Sequence, residues 1–101
     1  MAKTIEIVNI RLQPGVTDEA FIAETMKMER EFLGKLHGFL DRDTGKSADG
    51  DWVVVLHWAA MEDAQASMDK FVGNEGTKAF TALIDMSSFR MTRYELKDHY
   101  E

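Results

Sequence analysis

Cysteine is absent from this chain of 101 residues. That excludes a disulfide framework, a thiolate nucleophile and a cysteine metal site. No linker, internal repeat or low-complexity segment breaks the chain, so residues 1–101 read as a single domain. No apolar run is long enough to span a bilayer, and the opening Met-Ala-Lys-Thr-Ile-Glu lacks the apolar core of a secretory leader. A cytoplasmic protein with no membrane partner is the expectation. Basic charge is also short: 12 Lys and Arg stand against 18 Asp and Glu, a net charge of −6 with His neutral. Such a chain has no electrostatic footprint for a nucleic acid. The three histidines have no paired spacing, so neither a metal nor another cofactor is expected. Dinucleotide, P-loop and nucleophile-elbow motifs are missing as well.

What is present begins with Asp51 to Trp58, Asp-Trp-Val-Val-Val-Leu-His-Trp. In a strand, Trp52, Val54, Leu56 and Trp58 point one way and Val53, Val55 and His57 the other. A strand apolar on both faces needs cover on both. A chain this small, with few helices, covers one face. The second cover is expected from another copy or another partner.

Thr4 to Leu12 also reads as a strand, with Glu6, Val8, Ile10 and Leu12 on one face and Ile5, Ile7, Asn9 and Arg11 on the other. Pro14-Gly15 ends it. Thr17 is a good N-cap for a helix running to about Lys35. Its buried stripe is Phe21, Thr25, Met28, Phe32 and Leu36, widened by Ile22 and Met26. Phe39 to Thr44 is a polar second strand, and Gly45 to Gly50 a hairpin loop. A second helix is expected over Ala60 to Val72, with Met61, Ala64, Met68, Phe71 and Val72 on one side. A third follows within Glu75 to Asp85, then a last strand over Ser87 to Lys97 and a polar tail. Seven methionines suit either a flexible core or an adaptable pocket for an apolar ligand.

The order β-α-β-β-α-(α)-β predicts an α+β ferredoxin-like plait, a four-stranded antiparallel sheet with helices on one face. Two copies packing sheet on sheet would close a barrel.

Among groups able to carry chemistry, His57 leads. An imidazole can take a proton from a phenol or a carbon acid near neutral pH. If the hairpin turns on Asp49-Gly50, Arg42 lies roughly opposite His57, with Asn9 and Arg11 on the same face. The plainer reading of His57 is a satisfied structural histidine. Asn9 could hold a substrate hydroxyl or oxygen species, or simply be hydrogen-bonded near a dimer seam. Trp58 could stack on a flat aromatic ligand or pack the core. Tyr94, Arg90 and Arg93 could meet a ligand or a partner chain.

The layout resembles the dimeric α/β-barrel superfamily, and within it the small antibiotic-biosynthesis-monooxygenase-like proteins. The resemblance is carried by Leu12-Gln13-Pro14-Gly15 through Thr17-Asp18-Glu19 to Phe21, and by Gly38-Phe39-Leu40. His57-Trp58 followed by Glu62-Asp63-Ala64, then Thr77-Lys78-Ala79-Phe80 and Tyr94-Glu95-Leu96, complete it. It implies a homodimer with a pocket between sheet and helices, and oxygenases acting on anthrones or quinols without metal or flavin. Haem-degrading relatives use an asparagine on the first strand plus a Trp and a His. Anchored on Pro14-Gly15, Val8 takes that asparagine's place, and Ser67 and Thr81 stand near the other two, so the haem triad is absent. Two classes stay open. One is a cofactor-independent monooxygenase for an aromatic, quinol or polyketide-like molecule, with His57 and Asn9 catalytic and Trp58, Arg42 and Tyr94 holding substrate. The other is a non-catalytic dimer that binds a small apolar ligand or is purely structural.

Overall fold

Alternation along β3 (Trp52–Trp58) organises the structure: Trp52, Val54, Leu56 and Trp58 are buried, while Val53, Val55 and His57 are only half-buried. The computed structural model describes residues 2–101. The other strands are β1 (Thr4–Leu12), β2 (Phe39–Lys46) and β4 (Ile84–Glu95). The helices are α1 (Asp18–Glu31), α2 (Met61–Phe71) and α3 (Glu75–Ala82), with a 3-10 turn at Leu33–Lys35. The strands form one antiparallel sheet in the order β2-β3-β1-β4, the expected plait.

The helices cover the face that carries the tryptophans. Phe21 of α1 meets Trp52 edge-on at 4.8 Å and lies tilted against Phe80 of α3 at 5.6 Å. Phe39 meets Trp58 edge-on at 5.5 Å. Phe21 and Trp58 are fully buried, each contributing about 2–3 kcal/mol by removal from water. At the start of α1, Thr17 Oγ1 accepts the Ala20 amide at 3.1 Å, and Asp18 and Glu19 face the positive end of the helix dipole.

Several boundaries differ from the sequence expectation. The α-helical part of α1 stops at Glu31, because Phe32 leaves helical backbone geometry and the chain tightens into the 3-10 turn. Met26 is exposed: the helix touches the core along a narrower stripe than the apolar pattern suggested. On α2 the buried residues are Ala64 and Ser67, while Met61 and Val72 project to solvent at its two ends. β2 continues through Gly45 and Lys46, because the hairpin closes tightly through Ser47 N–H to the Asp51 carbonyl at 2.7 Å. β4 begins at Ile84, which pairs with Leu12. Pairing then jumps from Arg11↔Asp85 to Asn9↔Arg90, and the Arg11 amide donates to Ser88 Oγ at 2.8 Å inside that irregularity.

The expected pairing of Arg42 with His57 is corrected. Phe39 pairs with Trp58 but Asp41 pairs with His57, so Leu40 is an extra residue in β2. This bulge moves every following side chain by one position. Asp41 therefore lies opposite His57. Arg42 lies opposite Leu56 on the helix side, where its Nε donates to Glu29 at 3.1 Å.

Candidate functional site

The register assembles a row across the uncovered face of the sheet: Asp41, His57, Ile5 and Tyr94, one residue from each strand. His57 Nδ1 is 2.6 Å from Asp41 Oδ1. The His57 side chain keeps 30% of its surface exposed and that of Asp41 67%. The next row is Asp43, Val55, Ile7 and Thr92, and the third is Gly45, Val53, Asn9 and Arg90. The centre of this face is thus aliphatic, made by Ile5, Ile7, Val53 and Val55, all half-buried although no helix lies over them. Asn9 is exposed beside Arg90, whose guanidinium donates to the carbonyls of Phe89 and Ser87.

A proton on Nδ1, donated to the Asp41 carboxylate, leaves Nε2 with a free lone pair. The carboxylate also fixes the ring orientation. A carboxylate–imidazole pair at the end of an apolar face can accept a proton from a molecule held against the free ring nitrogen.

The covered face holds a second polar cluster. Glu6, buried in β1, accepts from Arg93 Nε at 2.7 Å and from the Trp58 indole N–H at 3.3 Å. Arg93 also donates to the Gln65 side chain at 2.9 Å and to the Ala64 carbonyl at 3.5 Å, tying β4 to α2. Sequence reasoning missed this cluster. Its signal was a glutamate on the otherwise apolar stripe Glu6, Val8, Ile10, Leu12, which demanded a buried cation. Among the described residues no buried side-chain nitrogen or oxygen lacks a partner, and no three His, Asp or Glu converge as metal ligands.

The structure therefore divides the expected site residues. His57, Asn9 and Tyr94 share the uncovered face, Asn9 two rows from the other two. Trp58 and Arg42 are on the helix side, Trp58 fully buried. Trp52, Trp58, Phe21 and Phe80 pack the space between sheet and helices, where the resemblance implied a pocket. Among the described residues, hollows lie at the surface. One, about 420 Å³, runs along α1 over Ile22, Ala23 and Met26. Another, about 210 Å³, lies between Thr4, Met61, Glu62 and Glu95. A hydrogen bond from Lys97, and its charge, hold the Glu95 carboxyl below its ordinary value.

No protein-family model matches the chain, and no curated protein does. Solved structures do. A candidate antibiotic biosynthesis monooxygenase from Bordetella bronchiseptica superposes with a TM-score of 0.79 at 15% identity, over 96% of this chain and 99% of the other. SnoaB, a cofactor-independent oxygenase from Streptomyces nogalater, gives 0.77 at 10% identity over 98% and 97%. A candidate antibiotic biosynthesis monooxygenase from Chloroflexus aurantiacus gives 0.73 at 14% over 99% and 98%. The chain has the fold of the antibiotic-biosynthesis-monooxygenase-like proteins over nearly its whole length. Among the described residues no helix is long and apolar enough to cross a membrane.

Proposed function

We propose that the chain is a cofactor-independent monooxygenase for an aromatic, quinol or polyketide-like molecule, working as a homodimer. The observation that carries this reading is the 2.6 Å contact between His57 Nδ1 and Asp41 at the end of an aliphatic face. His57 Nε2 removes a proton from the substrate, because dioxygen takes an electron far more readily from the anion than from the neutral ring. For an anthrone the balance is a methylene plus O₂ giving a carbonyl plus water. Asn9 and Tyr94 line the same face and orient the ring. Trp58 and Arg42 act through the core rather than on substrate. The fold shared with SnoaB supports the reaction class. The half-buried Ile5, Ile7, Val53 and Val55 support a second copy as the cover of this face.

A non-catalytic dimer of the same fold is the second reading. It is favoured by the helix-side core being filled and its polar groups being paired with one another.

The test is incubation with anthrone- and quinol-type substrates under ¹⁸O₂, followed by mass spectrometry. One labelled oxygen per product, above the buffer rate, is expected. Label at the buffer rate with every substrate would leave the non-catalytic reading.

A further inference from the structure

The uncovered face is polarised. Asp41 and Asp43 line its β2 edge, while Tyr94, Thr92 and Arg90 line its β4 edge. Face-to-face packing of two copies by a two-fold leaves two simple choices. An axis running across the strands sets β2 on β2 and opposes four aspartates. An axis running along the strands sets β2 on β4. It keeps each residue at its own level, so each row faces the same row of the other copy in reverse order. Aligned packing at about 30° preserves that correspondence to within a side chain. Like charges directly opposed are the costlier arrangement. The second choice instead brings Asp43 of one copy within side-chain reach of Arg90 of the other.

In that arrangement Asp41 of one copy lies under Tyr94 of the second, and His57, one strand further in, lies opposite Ile5. Within one chain Tyr94 is out of reach of Asp41, and Ile5 stands between it and His57. Tyr94 sits three strands from Asp41, roughly 14 Å at the usual strand spacing. Tyr94 is half exposed and its phenol has no partner among the hydrogen bonds of the described residues. Resting on the homodimeric oxygenase reading, we infer that the site is composite: His57 and Asp41 come from one copy and Tyr94 from the other. The phenol closes the base into a partly dry compartment and binds the substrate oxygen on which charge develops. The ligand this favours is a flat aromatic with a phenolic or ketonic oxygen near its acidic hydrogen.

The cysteine-free sequence makes the test clean. Asp41→Cys and Tyr94→Cys chains are prepared separately, mixed, allowed to exchange and treated with a short bis-maleimide. A covalent dimer in the mixture, and in neither variant alone, is expected. A second pair, Asp43→Cys with Thr92→Cys, probes the same alignment without touching His57 or its carboxylate. Cross-linking of Asp41→Cys to itself, failure of both mixtures, or a monomer by light scattering would each overturn the proposal.

Oxygen uptake supplies a separate readout. His57→Ala and Tyr94→Phe homodimers are each impaired, but their mixture regains uptake, since one site in each mixed dimer has both native residues. A mixture no faster than its components, with an active parent, also overturns it. A cross-link in a protein without uptake on any substrate would retain the alignment and remove the oxygenase reading.

Discussion

Glu6 and Arg93 face each other across β1 and β4 and form a 2.7 Å ion pair whose side chains are only 6% and 15% exposed. The pair is also bonded to Trp58 and Gln65, so it fastens the sheet to α2. Removing one partner strands a buried charge. Arg93→Met should lower the unfolding free energy by about 3 kcal/mol. Glu6→Leu combined with Arg93→Met should recover most of that loss. Urea denaturation of the two variants checks both statements; a single variant as stable as the parent would refute the buried-charge account.

Gly38 and Asp63 set the junction between the entry to β2 and the first turn of α2. Gly38 has φ of +83°, and a Cβ there would stand 2.1 Å from Asp63 Oδ2. The same carboxylate accepts from His37 Nδ1 at 2.8 Å, and the Gly38 carbonyl accepts from Ala59. Gly38→Ala is expected to cost about 2 kcal/mol, from left-handed backbone strain and displacement of Asp63. A thermal transition unchanged from the parent's would show that the junction yields without cost.

Ile7 occupies the middle of the aliphatic face, opposite Val55 and Thr92. Ile7→Asp should weaken self-association at least ~30-fold, the scale of a central interface residue. The fold should persist, because the helix-side core is untouched. Light scattering should move from a dimer toward the 11.5 kDa monomer, with the far-ultraviolet spectrum retained. A variant that stays dimeric would place the contact elsewhere.

The element order and the two-faced character of β3 were legible in the sequence, because period-two alternation and turn residues are local signals. The bulge at Leu40 was not. Nothing in Phe39-Leu40-Asp41-Arg42 marks which residue leaves the ladder, and a slip of one exchanged Arg42 for Asp41 beside His57. The start of β4 was missed for a similar reason. Leu83-Ile84 extends the helical apolar pattern of Phe80, and only pairing with Leu12 makes Ile84 a strand residue. Of the candidate site, His57 was readable as a histidine among strand valines. Its carboxylate was not, since that depends on register between strands. The Glu6–Arg93 pair joins residues at opposite ends of the chain, a contact only the closed sheet creates.

The central claim is that His57, oriented by Asp41, removes the substrate proton. The most direct measurement is the oxygen-uptake rate with an anthrone for the parent and His57→Gln, matched for dimer content and thermal stability. A fall of ~10²–10⁴-fold in the variant is predicted, the usual contribution of a general base. Equal rates in two well-folded dimers would contradict the account and take His57 out of the chemistry.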